Sequence, residues 1–322
     1  WVNEGILHES EARANLMTKS SLPITGNLGA FNDATKDFWK TTSTSVTVSN
    51  INAPDGSSSA IEVTNADSTG FFLCGSSVTG TASGGQIKSV WARTVSGTGT
   101  VGLLSRHNNA WSETTLTEEW QRFEVPTNMS GDYEAYFYLL DFRVGNLTDV
   151  LIWGAQLEVG STASSYIPTT GASATRAAET LTVPAANLPY NSINMSIQID
   201  GKMTYADSGA VETVGFFRWY LNSSNRIATR LNTNGIKVGN VYTNGVGWNL
   251  SNVYSPGVNV PFNIAARYGS TFTNLATDGT AYTASTYGYG SSNLSSTNLN
   301  LGDIFMGTIG EFRMWSDDLG DV

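Results

Sequence analysis

The chain has 322 residues and a net charge of −10, and only 14% of its residues are charged, against roughly 25% in an average soluble protein. Its 17 Lys and Arg are spread thinly, so the sequence shows no basic face for duplex DNA and we expect no nucleic-acid partner. No run of 18 apolar residues occurs, so we expect no membrane insertion, and a single cysteine excludes an internal disulfide.

Short segments rich in β-branched and aromatic residues recur through the first half and predict strands. Turn clusters such as Pro54-Asp55-Gly56 and Gly84-Gly85 separate them, at spacings of about 8–12 residues that are typical of a sandwich or barrel. The best helical candidate, residues 9–17, is short. The predicted strands are residues 44–48, 87–92, 100–104, 122–125, 134–140 and 150–157.

Residues 161–182 interrupt this rhythm with small, polar, Pro- and Gly-bearing sequence, which is typical of a linker or crossover. Beyond them, Asn-Gly and Asp-Gly pairs such as Asp278-Gly279 indicate hairpins, because these residues tolerate positive φ. We therefore predict an all-β chain of two tandem antiparallel β-sandwiches (jelly rolls), with modules at 1–160 and 183–322. The predicted strands of the second module are residues 194–199, 213–221, 226–231, 235–241, 262–268, 272–278 and 309–315.

Two resemblances follow from these segments. The first half resembles modules of bacteriophage tail-fibre and host-recognition proteins that are related to CBM4/9-type carbohydrate-binding jelly rolls. The stretches that carry this resemblance are residues 11–20, 38–39, 89–93, 119–125 and 150–178. The second half resembles the concanavalin A-like (laminin-G or pentraxin-like) sandwich. The stretches that carry this one are residues 225–231, 276–279 and 305–319.

Candidate sugar-binding residues are aromatic side chains set among polar ones, since sugars present apolar C–H faces together with many hydroxyls. Trp111 follows a polar stretch that includes Arg106 and Asn108, and alternation puts Tyr136 and Tyr138 on one face of a strand. For the two tyrosines the alternative is burial under a loop or a neighbouring domain.

Two further candidates lie in the second half. Trp248 is flanked by Gly and Asn, as expected of a loop, and serves either as a binding platform or as a lid over the sandwich edge. Tyr287 lies in a segment rich in Tyr, Ser and Gly, a composition shared by binding loops and by plain surface loops.

The resemblances also imply a structural calcium ion, which sandwich modules of both types often carry. Glu11 and Glu158 are its candidate ligands if the two ends of the module meet, because calcium prefers carboxylate and carbonyl oxygens. The alternative is that both are ordinary solvated carboxylates. No EF-hand loop is present.

The sequence contains no nucleophile elbow, phosphate loop or His-Glu-x-x-His motif, and it has only two histidines. Concanavalin-like glycosidases usually carry Glu-x-Asp-x-x-Glu on one strand, and nothing here matches that pattern. We therefore expect a protein that is not an enzyme. A polysaccharide depolymerase stays as the least favoured alternative, since sequence does not exclude two carboxylates flanking a cleft.

The resemblances imply a virion protein on the surface of a phage particle, a fibre or tail component that binds host-surface polysaccharide. We expect a homo-oligomer, a trimer, because several copies compensate for weak individual sugar contacts, and we expect other tail or capsid proteins as partners. The alternative is a structural decoration or fibre-shaft protein that binds no glycan. Because the sequence begins at Trp1, we expect a fragment or a processed product.

Overall fold

The structure is a computed structural model, and it describes part of the chain. The described residues are 5–20, 28–30, 33, 35–36, 38–49, 51–67, 69–74, 85–104, 113–127, 137–205, 214–232, 235–243, 246–251, 254, 256–288 and 293–320. Within these ranges the fold is all-β, as predicted, with one turn of 3-10 helix at Ala185–Asn187. The described residues include no helix with the length and hydropathy of a membrane span.

The strands are numbered in chain order and are mostly short. They are β1 (Ile6–Glu9), β2 (Arg13–Asn15), β3 (Leu28–Ala30), β4 (Phe38–Lys40), β5 (Thr44–Val48), β6 (Ile61–Asn65), β7 (Phe71–Cys74), β8 (Gln86–Thr94), β9 (Gly99–Leu103), β10 (Glu113–Leu116), β11 (Gln121–Thr127), β12 (Phe137–Gly145), β13 (Asp149–Val159), β14 (Ala174–Arg176), β15 (Leu181–Val183), β16 (Asn194–Tyr205), β17 (Val214–Asn222), β18 (Asn225–Asn232), β19 (Gly235–Thr243), β20 (Val246–Ser251), β21 (Pro261–Gly269), β22 (Thr273–Thr277), β23 (Thr280–Ala281), β24 (Leu299–Asp303) and β25 (Met306–Trp315).

The chain folds into two compact units, each a two-sheet sandwich. The first sandwich is Arg13–Arg176, and the second combines Trp1–Ala12 with Ala177–Val322. The second sandwich therefore takes its edge strand β1 from the start of the chain: β1 pairs antiparallel with β25, and Ile6 lies opposite Ile309.

In the first sandwich, a six-stranded sheet (β10-β9-β12-β7-β4-β3) faces a five-stranded sheet (β11-β8-β13-β6-β5), and β14 pairs with β2 separately. Its strands are antiparallel except for β3 and β4, which run parallel. Phe38, Phe72, Leu140, Val150 and Ile152 are among the residues that fill the core between the sheets. Burying an aliphatic side chain of this size contributes about 1.5–3 kcal/mol.

In the second sandwich, the front sheet has the order β1-β25-β16-β21-β22-β23 and the back sheet has the order β15-β24-β17-β18-β19-β20. The predicted Asp278-Gly279 hairpin is confirmed, since both residues have positive φ (46° and 79°) and they join β22 to β23. Trp219 and Phe217 share the core face of β17, as alternation predicts. Phe216 is buried as well, because a bulge at this point turns it inward.

The structure divides the chain differently from the predicted module boundaries at 160 and 183. Residues 160–173, here called the covering segment, pack on the five-stranded sheet of the first sandwich. Ile167 N donates to Gln156 Oε1 at 2.7 Å, and Ser164 N donates to Glu158 Oε2 at 2.9 Å. This polar sequence is therefore bound to a sheet through most of its length.

Aromatic and hydroxyl contacts hold the covering segment in place at two further points. Tyr166 packs on Trp153 with ring centroids 4.6 Å apart, and its hydroxyl lies 3.0 Å from Ser20 Oγ. Thr169 N donates to the same Ser20 Oγ at 3.0 Å.

The expected short helix at residues 9–17 is wrong: this part of the chain contains the end of β1 and the whole of β2, each paired to a distant strand.

Candidate functional site

The outer face of the front sheet carries a row of polar side chains that comes from strict alternation along its strands. On β16, Met195, Ile197 and Ile199 enter the core, so Ser196 and Gln198 face outward. The same alternation operates on β21 and β22. Their outward positions are Asn263, Ala265 and Arg267 on β21, and Asn274 and Ala276 on β22.

Strand register aligns these positions across the sheet. Ser196 lies opposite both Trp315 of β25 and Arg267 of β21, and Arg267 lies opposite Asn274 of β22. Four neighbouring strands thus place an indole, a hydroxyl, a guanidinium and an amide in one row. At about 4.8 Å between strands, the row is roughly 14 Å long.

A groove of about 350 Å³ runs along this row. Small residues from the second row, Ala265, Ala276 and Ala281, form its floor, and Gln198 and Asn263 contribute amides. A floor without long side chains leaves room for a flat ligand to approach the sheet. The groove is therefore shallow, polar at its sides and apolar at its base.

Arg267 is the cation in this groove, and two contacts fix its position. Its Nη1 donates to Asp318 Oδ1 at 2.6 Å, and its guanidinium carbon lies 5.3 Å from the centroid of the Phe272 ring. The side chain is 16% exposed, so the guanidinium is oriented before any ligand arrives. A guanidinium carries five N–H donors in a fixed fork, a geometry suited to planar or paired oxygens.

The last described residues form one wall of the groove. Ser196 Oγ donates to the Asp317 carbonyl at 2.8 Å and accepts from Leu319 N at 3.2 Å. This doubly bonded serine holds the segment after Trp315 against the sheet. Leu319, which is 47% exposed, consequently stands beside the half-buried Trp315 at the groove's edge.

The opposite end of the groove is bounded by a turn that Asp278 stabilises. Its Oδ1 accepts from Asn263 N at 2.8 Å, and its Oδ2 accepts from the Tyr254 hydroxyl at 2.6 Å. Burial, with the bond to Asp278, raises the pKa of Tyr254 above its usual range, so this hydroxyl stays protonated and keeps donating. A second cavity of about 490 Å³, lined in part by Asp200 and Lys202, adjoins the groove at Asn263.

Tyr287, one of the predicted sugar-binding residues, lies close to this site in the second sandwich. It is 57% exposed, as a platform requires. Thr273 Oγ1 donates to the Tyr287 carbonyl at 3.1 Å, and Thr273 directly precedes Asn274 of the groove. The structure thus anchors the backbone of Tyr287 close to the groove, and its role in binding stays a prediction.

Two of the other predicted binding residues, Trp248 and Tyr138, lie on strands of the described chain. Trp248 lies within strand β20, opposite Val241, and the expected Gly/Asn loop around it is wrong. Tyr138 lies on β12, opposite Leu73. Arg106, Asn108, Trp111 and Tyr136 fall outside the described residues.

In the structure Glu158 is hydrogen-bonded within the first sandwich. Its two carboxylate oxygens accept hydrogen bonds from the backbone N and the hydroxyl of Ser164, at 2.9 and 2.5 Å, and the side chain is fully buried. It pins the covering segment to the first sandwich, whereas Glu11 belongs to the second unit. The described residues contain no group of three or more His, Cys, Asp and Glu that could hold a metal ion.

Sequence reasoning missed the groove because its residues are unremarkable one by one. Gln198, Arg267 and Asn274 carry no motif, and they are 76 residues apart from first to last. The signal that could have found them was the polar half of the alternation on the predicted strands 194–199 and 262–268. Only strand order and register, which the sequence does not state, bring those positions into one row.

No protein-family model matches this sequence. A search of curated proteins likewise gives no match. Some solved structures are similar to part of the chain. One is the CBM40 module of the Ruminococcus gnavus IT-sialidase bound to α2,3-sialyllactose, at 16% identity and a TM-score of 0.32, over 41% of this chain and 80% of that chain.

Two further structures show the same degree of similarity. The leech intramolecular trans-sialidase, complexed with 2,7-anhydro-Neu5Ac, matches at 18% identity and a TM-score of 0.32, over 41% of this chain but only 22% of its own. Domain 4 of AbnA, a GH43 extracellular arabinanase from Geobacillus stearothermophilus in complex with arabinotriose, matches at 11% identity and a TM-score of 0.33, over 44% and 68%. We therefore argue function from the residues of the groove itself.

Proposed function

We propose that this protein is a carbohydrate-binding protein that holds a glycan in the front-sheet groove of its second sandwich. The observation that carries the proposal is the groove, where Trp315, Arg267 and Gln198 lie beside an alanine floor. Ser196 and Asn274 complete the row from buried positions, at 4% and 2% exposed. An indole at the edge offers an apolar surface for sugar C–H groups, while the amides and the guanidinium match hydroxyl groups.

The same geometry favours holding a glycan over cleaving it. Glycoside hydrolysis uses two carboxyl groups on either side of the scissile bond. Among described residues, the side chains that line this groove are amides, one guanidinium, one indole and small or apolar groups. The neighbouring Asp318 is bound to Arg267, and Asp278 accepts two hydrogen bonds from the turn. We propose a non-catalytic protein on these grounds.

The setting we propose is the surface of a phage particle, with host-surface polysaccharide as the ligand and other tail or capsid proteins as neighbours. The support is the resemblance of residues 150–178 to segments of phage host-recognition proteins. We propose a homotrimer, because three copies of a shallow groove increase avidity without any additional contact. Light scattering on the intact protein tests this, and a stable monomer would remove the trimer from the proposal.

A glycan array probed with the purified protein tests the binding function. We expect at least one bound glycan class, and roughly tenfold weaker binding for Arg267→Ala and for Trp315→Ala, each of which removes one anchor. Arg93→Ala is the matched control. This arginine lies on β8 of the first sandwich and does not line the groove, so its variant should bind like the parent protein.

Four results would overturn or revise parts of this proposal. A flat array at high protein concentration would favour the structural alternative, a decoration or shaft protein. Unchanged binding by both groove variants would move the site elsewhere. Release of reducing ends from a bound polysaccharide would establish a depolymerase, and loss of binding in EDTA would support the expected calcium ion.

A further inference from the structure

The back sheet of the second sandwich is basic, although the chain as a whole is acidic. Its six strands carry four cations (Arg218, Arg226, Arg230 and Lys237) and one acid (Asp303), a net charge of 4 − 1 = +3 in a chain of net charge −10. The front-sheet strands carry three of each sign and sum to zero. These are Lys202, Arg267 and Arg313 against Glu9, Asp200 and Glu311.

Register places the arginines of the back sheet on its outer face. On β18, Ile227 and Leu231 enter the core and Thr229 is fully buried, so Arg226 and Arg230 take the outward positions. Arg226 and Arg230 are four residues apart on one strand, a distance of roughly 13 Å. Two cations that are separated in the sequence therefore lie on one surface.

The neighbouring strand adds a third arginine and an aromatic ring to this face. Arg218 of β17 lies opposite Ala228, and Tyr220 lies opposite Arg226. The guanidinium carbon of Arg218 lies 4.2 Å from the centroid of the Tyr220 ring, and its Nη1 contacts Asp303 Oδ2 at 3.1 Å. About a third of the Arg218 side chain is exposed, so it is accessible while being held in orientation.

Small, buried residues lie between these side chains. Gly215 lies opposite Arg230, and Ala228 lies between Arg218 and Asn240. Thr182 and Asn300 continue the same row toward β15. The face thus combines partly exposed cations, hydrogen-bonding side chains and an exposed tyrosine ring.

We propose that this back-sheet face is a second binding surface, separate from the groove, and that its ligand is an acidic polysaccharide. A chain with a charge on each repeat matches cations spaced along a strand, and sugar rings match Tyr220. Carboxylate and sulfate groups share the chemistry that the arginines recognise. An electrostatic surface of this kind is screened by salt: the Debye length falls from about 30 Å at 0.01 M to about 8 Å at 0.15 M.

The experiment measures binding of the whole protein to immobilised dextran sulfate, polygalacturonate and neutral dextran of matched length. We expect binding to the two acidic polymers, weakening as salt rises, and no binding to neutral dextran. The variant Arg226→Gln/Arg230→Gln should bind at least roughly tenfold more weakly. The control Lys36→Gln/Lys40→Gln removes the same charge from the first sandwich, giving −12 in both cases, and should bind like the parent.

A gain-of-affinity variant protects the test against a misfolded loss-of-affinity variant. Asp303→Asn removes the acid of this face at a side chain that is 42% exposed, and it should tighten binding by about two- to threefold. Binding to one acidic polymer but not to the other supports the proposal and identifies the anionic group.

The proposal is overturned if neither acidic polymer binds, if the lysine control loses as much affinity as the arginine variant, or if Asp303→Asn weakens binding. Single-stranded DNA of equal charge density that binds as tightly as the polysaccharides would also overturn it in favour of a general polyanion surface. Arg226→Gln/Arg230→Gln should leave glycan binding in the groove unchanged on the array, because neither residue lines the groove, so the two surfaces fail or succeed separately.

Discussion

Two glutamines, one in each sandwich, occupy equivalent kinds of position and have opposite fates. Gln156 of β13 and Gln198 of β16 both face outward from a strand inside a sheet. Gln156 is fully buried, because the covering segment lies over it, whereas Gln198 lines an open groove. A polar residue on the outer face of a sheet is therefore a candidate site only where the chain itself leaves it uncovered.

The hydrogen bonds of the two amides show the same contrast. Gln156 accepts from Ile167 N and donates toward the carbonyls of Ser164 and Ser165, at 3.4 and 3.3 Å. Gln198 donates to Asn263 Oδ1 at 3.2 Å, within the groove. The first amide holds a segment of backbone, so it stabilises the fold, and the second is placed to meet a ligand.

Gln156→Ala should have the largest effect on stability, and it tests whether the buried amide holds the covering segment. The substitution leaves the buried Ile167 N–H without its acceptor, and an unsatisfied buried group costs about 1–3 kcal/mol in addition to the lost packing. We expect the first sandwich to lose about 3 kcal/mol, measured by denaturant unfolding. Limited proteolysis should then cleave near residue 165.

The control for that prediction is binding at the groove. Gln156→Ala should leave glycan binding by the second sandwich intact, since the groove lies in the other unit. A stability loss below about 0.5 kcal/mol, the scale of an ordinary surface substitution, would mean that the covering segment is not held by this amide.

Gly154→Ala tests the bulge in β13 that precedes Gln156. Gly154 has φ of +64° and sits at a bulge between Trp153 and Gln156, where the register with β8 shifts. An alanine here must adopt the left-handed region, at about 1–2 kcal/mol, and its Cβ would lie 3.3 Å from Trp91. Thermal unfolding measures the loss. A variant as stable as the parent would show that the bulge accepts an alanine side chain without strain.

Much of the fold could be predicted from the sequence, because period-two alternation and turn residues are local signals. The strands at 87–92, 194–199 and 262–268 fall within β8, β16 and β21, and Asp278-Gly279 forms its hairpin. The covering segment could not be predicted, since its small polar residues read as a linker. The attachment of this segment to the sheet depends on Gln156 and Glu158. The sequence does not distinguish these two polar residues from solvated ones.

The candidate site was less predictable for a related reason. Aromatic residues with polar neighbours drew attention to Trp111 and Trp248, but pairing partners decide which outward residues become neighbours. β16 pairs with β25 and β21, strands more than 50 residues further along the chain, and this pairing places Ser196 between Trp315 and Arg267. Long-range pairing of this kind leaves no local mark in the sequence.

Tyr166→Phe should have a smaller effect on stability, and it measures how much the Tyr166 hydroxyl contributes to holding the covering segment. The change keeps the ring against Trp153 and removes only the hydroxyl that lies 3.0 Å from Ser20 Oγ. We expect a loss of about 1 kcal/mol, the ordinary value of one intramolecular hydrogen bond. Tyr166→Ala is the comparison that also removes the ring, and its loss by denaturant unfolding should be clearly greater. Equal losses for the two variants would assign the whole effect to the hydroxyl.

Gln198→Ala should have the smallest effect on stability, and it completes the comparison with Gln156→Ala. Its amide lies half-buried in the groove and donates to Asn263 Oδ1. When the amide is removed, water takes its place as the donor to Asn263. We expect the second sandwich to change by less than about 0.5 kcal/mol on denaturant unfolding, while glycan binding weakens severalfold. The same chemical change, glutamine to alanine on an outer sheet face, would then cost stability in one sandwich and binding in the other. If Gln198→Ala instead destabilises its unit as much as Gln156→Ala destabilises the first, the groove is part of the structural framework and the distinction between covered and open faces fails.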